Sequence, residues 1–208
     1  MKLKKLKVLN CYSGIGGNRK LWEDVDVTAV ELNPQIAKIY QDFFPQDKVV
    51  VGDAHAYLLE HYKEYDFIWS SPPCPSHSRS RFWGMNRGYK PIYPDMQLYE
   101  EILLLKHYYK GDYCVENVIG YYKPLIVPQK LNRHYYWANF TISQMDSGSL
   151  SEIQNSLEKL ENYFGFKIRD KKIDGDKRVI LRNCVEPELG LHILNESKIN
   201  RCPELFNN

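Results

Sequence analysis

Between residues 7 and 118, short apolar runs alternate with amphipathic stretches, and this alternation most constrains what the chain can fold into. Parallel strands cannot be joined by a tight turn, so a repeated strand-then-helix pattern specifies a parallel sheet with crossover helices. Lys7–Cys11 reads as a first strand, followed by a glycine turn and a short helix ending near Trp22. Val25–Glu31 reads as a second strand, and Asn33-Pro34 then supplies the cap and first-turn proline of a helix reaching about Phe44. Val49–Val51, Asp66–Ser70 and Tyr113–Glu116 read as three further strands. Helices are expected over His55–His61 and from Met96 to about Lys110. The class is α/β, with a mostly parallel sheet.

Beyond Val118 the pattern loosens. Arg133–Ile142 reads as a strand, antiparallel because no helical crossover precedes it. Ser149-Leu150-Ser151-Glu152 resembles a capping box. The helix it would start carries Ile153, Leu157, Leu160 and Phe164 on one face, with Gly165 as its stop. Short strands are expected at Lys167–Arg169 and Arg178–Leu181, and a last helix over Glu186–Leu194. With no repeats or linkers, residues 1–208 are expected to form one domain. No apolar run approaches the roughly 20 residues that cross a bilayer, and the basic N-terminus leads straight into a strand. Five scattered cysteines without a CxxC pair argue against a disulfide framework and against a metal site. The expectation is a cytoplasmic protein.

A formal net charge of +2 is too small to imply nucleic acid by itself, but its distribution says more. Arg79, Arg81, Arg87 and Lys90 precede the next acid, Asp95, and Phe82, Trp83 and Tyr89 are interleaved with them. That mixture suits phosphates and base faces; the alternative is a solvated basic loop.

Tyr12-Ser13-Gly14-Ile15-Gly16-Gly17 follows the first strand, where glycines let a backbone approach a ligand. Glu31 ends the second strand, where an acid accepts hydrogen bonds from ribose hydroxyls, and Asp53 ends the third. Either acid could instead cap the helix after it. Three such elements in a row favour an adenosine-bearing ligand. Arg19 stands where a dinucleotide fingerprint needs its third glycine, which disfavours NAD. Ser71-Pro72-Pro73-Cys74 puts a thiol after a rigid turn at the carboxyl end of strand four, with Arg79 and Arg81 near enough in sequence to favour the thiolate. Glu116-Asn117-Val118 ends strand five and brings a carboxyl to the same sheet edge.

In this order, Tyr12–Gly17, Glu31, Asp53, Pro72-Pro73-Cys74 and Glu116-Asn117-Val118 resemble the motifs of DNA cytosine-5 methyltransferases. The resemblance implies a Rossmann-like fold binding S-adenosylmethionine, with Cys74 as covalent nucleophile toward carbon 6 of a flipped cytosine in DNA. It makes Glu116 and Arg133 the other catalytic residues. Cofactor contacts fall to Tyr12, Gly14, Gly16, Gly17, Glu31 and Leu32, then to Asp53, Ala54 and Asn183. Pro73, Ser78, Arg79, Arg81 and Asn117 would meet the substrate, the loop from Arg79 to Lys90 being similar to the family's mobile catalytic loop.

The chain also departs from the family. A Gln-x-Arg-x-Arg motif is reduced to Gln129-Lys130-Leu131-Asn132-Arg133, which keeps only the second arginine, or, aligned with Arg133 first, puts Tyr135 where the second should stand. Arg182-Asn183-Cys184-Val185-Glu186-Pro187 stands for a closing Gly-Asn-Ala-Val-Pro. Residues 141–178 stand where relatives insert a target-recognition region, so relaxed specificity or a separate recognition subunit is expected. Small members of this kind resemble those of bacteriophages, where broad methylation would protect DNA from restriction in a bacterial host cell. The competing expectations are cytosine-5 methylation of RNA or nucleotides, and a non-catalytic subunit that binds cofactor or DNA.

Overall fold

Strand β1 (Leu6–Cys11) lies inside a seven-stranded sheet of order β3-β2-β1-β4-β5-β7-β6. The computed structural model describes residues 5–79, 92–145 and 150–201. β2 (Val25–Glu31) and β4 (Phe67–Ser70) flank β1, with β3 (Lys48–Val51) and β5 (Asp112–Val118) outside them, and these five strands are parallel. β7 (His134–Ala138) runs antiparallel to β5, and β6 (Gln129–Leu131) pairs antiparallel with β7. The expected antiparallel strand is therefore present, and it belongs to a hairpin. Asn132-Arg133 makes the two-residue turn, with Asn132 at φ +53°, a conformation Asn tolerates well.

The central strands β1, β2, β4 and β5 are largely buried on both faces, and their side chains alternate between two cores. Val8, Val27, Phe67 and Trp69 face α6 (Pro187–Arg201) through Leu189, Ile193 and Leu194. Leu9, Val30 and Ile68 face α2 (Ala54–His61) and α3 (Gln97–Tyr108) through Leu58, Ile102 and Leu105. A third cluster joins Ile15 and Ile39 of α1 (Pro34–Phe43) to Leu160 and Phe164 of α4 (Leu157–Phe164), with Leu181 of α5 (Lys177–Arg182).

Several expectations are corrected. The segment after the glycine turn is a series of turns rather than a helix, pinned by reciprocal buried amide bonds between Asn10 and Asn18 of 2.8 and 3.3 Å. α4 begins at Leu157 under the Ser156 cap, not at the capping box further upstream, and Gly165 ends it at φ +65° as expected. Residues 178–181 are helical, because Asp176 caps that turn by accepting from the Arg178 amide. Residues 167–169 form no strand, since the Ile168 and Arg169 amides are taken by the buried Glu161 carboxylate, each at 2.7 Å. The last helix is longer than expected and starts at Pro187. Among the described residues, no helix is long and apolar enough to cross a membrane.

Candidate active site

The chain leaves β1 toward β2 and β3 on one side and returns to β4 and β5 on the other, so a crevice opens where β1 and β4 part. Tyr12 turns the backbone at φ +56° just past β1, and Gly14 follows at φ +54°. The Gly14 amide donates to Glu31 Oε2 at 3.0 Å, while Glu31 Oε1 accepts from the Asn33 amide at 2.9 Å. A Cβ on Gly14 would meet open space. The other two glycines serve the protein itself: a Cβ on Gly16 would strike the Phe44 and Tyr40 rings, and one on Gly17 the Val185 carbonyl and Cys184. The closing segment thus returns to the glycine turn through Cys184 and Val185, while Asn183 is exposed at the end of α5. Leu32 is 70% exposed beside Glu31. These two residues line an open hollow with Asn33, Pro34, Gln35 and Asp174. Asp53 caps α2, its Oδ1 accepting from the His55 and Ala56 amides at 2.8 and 3.3 Å, and Ala54 is buried behind it.

Sequence reasoning missed the residue that ties these turns together. Glu101 of α3 is fully buried and accepts from the Tyr12 hydroxyl at 2.6 Å and the Ser70 hydroxyl at 2.5 Å. His55 Nδ1 lies 3.1 Å from the same carboxylate, and its Nε2 lies 3.2 Å from Glu100. One buried acid therefore holds the segments after β1 and β3 and the end of β4. Its hydrogen bond and charge raise the His55 pKa, against the opposing effect of burial. Burial, then the Glu101 charge, pushes the Tyr12 hydroxyl up.

Cys74 follows β4 and is half-buried with a free thiol. Its turn is clamped twice. The His77 and Ser78 amides donate to the Cys74 carbonyl, both at 3.0 Å, and the buried Asn117 amide donates to the Pro72 carbonyl at 2.9 Å. Asn117 thus fastens β5 to the Pro-Pro turn, and Ser78 bridges to Gly120. Pro73 is exposed beside the thiol. Burial pushes the Cys74 thiol above its ordinary value, and the Glu116 charge pushes it further the same way. Arg79 does not act as expected on that thiol: its guanidinium is exposed and donates to the Gly120 carbonyl at 3.2 Å. Arg81, with the rest of the basic aromatic stretch through Lys90, lies outside the described residues.

Glu116, on β5, is 12% exposed at its side chain, and its Oε1 lies 3.5 Å from Nε2 of His134. Arg133 is exposed at the tip of the β6–β7 turn, and its charge acts on Glu186 and Tyr163. Burial raises the Glu186 carboxyl above its usual range. His134 and Glu186 gave no sequence signal, because only the hairpin register and the return of the closing segment bring them here.

The model of the C-5 cytosine-specific DNA methylase family matches residues 6–118, more than half of the chain. The chain belongs to that family. This methyltransferase uses S-adenosylmethionine as its methyl donor. Its fold is similar to that of an Entamoeba histolytica methyltransferase, at 13% identity and a TM-score of 0.50, over 96% of this chain and 99% of that one. A Spodoptera frugiperda DNMT2 variant is 18% identical, with a TM-score of 0.45 over 69% of this chain and 54% of that one. A TehB-like SAM-dependent methyltransferase from Corynebacterium glutamicum is 17% identical, with a TM-score of 0.39 over 60% and 61%. No curated protein matches the methyltransferase.

Proposed function

We propose that this methyltransferase modifies carbon 5 of cytosine in DNA, with Cys74 as transient covalent nucleophile. The observation that carries the reading is a half-buried thiol at the end of β4 within electrostatic reach of Glu116 on the neighbouring strand.

The residues around the glycine turn fit an adenosyl cofactor. The Ser13 hydroxyl is buried in that turn with no hydrogen-bond partner among the described residues. Each Glu31 oxygen accepts one backbone amide, which leaves lone pairs for ribose hydroxyls. Leu32 offers exposed apolar surface to a base, and the free space at Gly14 allows close approach. Glu31, Leu32 and Gly14 would hold the cofactor, with Tyr12, Asp53 and Ala54 positioned behind them. Bound there, S-adenosylmethionine supplies an electrophilic methyl group.

Carbon 5 of cytosine is a weak nucleophile. The Cys74 thiolate adds to carbon 6, and the electron pair released from the ring double bond makes carbon 5 able to take a methyl group. Glu116 faces N3 and stabilises the charge that addition drives into the ring. Loss of the carbon 5 proton to solvent restores the double bond and expels the thiolate. The base must leave its duplex to reach Cys74, and Pro73, Ser78, Arg79 and Arg81 are placed in sequence to meet the strand around it.

Three substrates presented side by side, duplex DNA, tRNA and dCMP, test the reading through transfer of a tritiated methyl group. DNA should be labelled, and a fluorocytosine duplex with cofactor should trap Cys74 covalently. Labelling of tRNA or dCMP alone would move the activity to those substrates. Absence of any adduct or label would leave a binding subunit. Protection of DNA from restriction is the biological use this activity supports.

A further inference from the structure

We propose that His134 is a positioning residue of this crevice, whose imidazole pairs with Glu116 and holds its carboxyl in place during methyl transfer. The inference rests on the cytosine-5 reading above.

The β5–β7 register sets the pair. Val118 stands opposite His134 and Glu116 opposite Tyr136, so the imidazole reaches back along the strand to the carboxyl, with Nε2 3.5 Å from Oε1. The imidazole is 37% exposed at its side chain, and the Glu116 carboxyl it reaches is 12% exposed. Several charged or titratable groups among the described residues surround it. Glu116 faces it from β5, with Cys74 beyond. Tyr136, on its own strand, has its ring 6.5 Å away and is buried. Arg133 precedes it in the turn, and Glu186 lies within electrostatic reach of both Arg133 and His134.

The charge moved by the reaction gives the imidazole its work. Addition of the Cys74 thiolate moves negative charge toward N3 of the base, where Glu116 is proposed to act. A ring N–H held on Glu116 fixes its carboxyl for that task. His134 is the side chain that reaches Glu116, while Glu186 lies within electrostatic reach of both Arg133 and His134.

Single-turnover methyl transfer to a cytosine-containing DNA duplex, with cofactor saturating, is to be compared in the wild type, His134→Ala and His134→Gln. His134→Ala should slow transfer by roughly tenfold or more. His134→Gln, which keeps an N–H donor for Glu116, should recover much of that rate. Cofactor affinity, unchanged in both variants, reports that they fold. No deficit in His134→Ala, or an equal deficit in His134→Gln, overturns the inference while leaving the cytosine-5 reading intact. A wild type that methylates no cytosine overturns both.

Discussion

At Cys74 the environment works against the chemistry proposed for it. Burial and the Glu116 charge both favour the neutral thiol, so the thiolate becomes abundant only above the ordinary thiol range. Alkylation of Cys74 by iodoacetamide, followed by mass spectrometry, should therefore keep accelerating by about tenfold per pH unit past that range. A plateau near neutral pH would show that a cation lowers the thiol after all. Cys74→Ala should abolish methyl transfer with unchanged cofactor affinity, whereas Glu31→Ala should weaken cofactor binding first, both read by calorimetry. Equal loss of binding in the two variants would make Cys74 a packing residue. Cys74 and Glu116 were legible in sequence because Pro-Pro-Cys and Glu-Asn-Val are uncommon strings at the ends of recognisable strands. His134 was not, since its role depends on which residue of β5 it faces.

At the scale of elements, the crevice depends on α3. Helix α3 carries the buried Glu101 that receives Tyr12, His55 and Ser70. Glu101→Leu should orphan the buried Ser70 hydroxyl at about 1–3 kcal/mol and the part-buried Tyr12 hydroxyl at less, and each kcal/mol should lower Tm by roughly 2–4 °C in a chain of this size. An unchanged Tm would mean the hydroxyls find other partners. The His55 pKa is raised in the fold, so its pairing contributes fully below the ordinary histidine range and is lost as pH rises through the raised value. The stability gap between wild type and His55→Gln should therefore narrow on going from acid to alkaline pH, as measured by urea unfolding. A gap that widens would reverse the sign assigned here. The parallel strands were legible because each is a short apolar run closed by a turn, yet α5 and the start of α4 were misread. Both are set by local side-chain caps, Asp176 and Ser156, within polar sequence that carries no clear period.

For the whole molecule, the question is what would read the proposed DNA substrate. Residues 141–178 stand where only a reduced insert was expected in place of a recognition region, and most of what is described there is committed to packing. Leu160, Phe164, Phe166 and Ile168 are buried against Ile15 and Ile39. Gln35 and Asp174 exchange hydrogen bonds of 2.9 and 3.1 Å, and Lys171 pairs with Asp42 at 2.7 Å, which fastens the segment to α1 beside the glycine turn. Direct readout needs several side chains on an element that enters a groove. A segment held on α1 by its own apolar face has few left to give. We therefore expect the methyltransferase to accept many sequence contexts when it acts alone. Bisulfite sequencing of DNA from cells expressing only this chain should show methylated cytosines scattered over short, varied contexts. One long strict site would mean that residues 80–91 or the hairpin tip at Arg133 read bases themselves. A pattern that appears only when a second protein is present would assign recognition to that partner, with this chain supplying the chemistry.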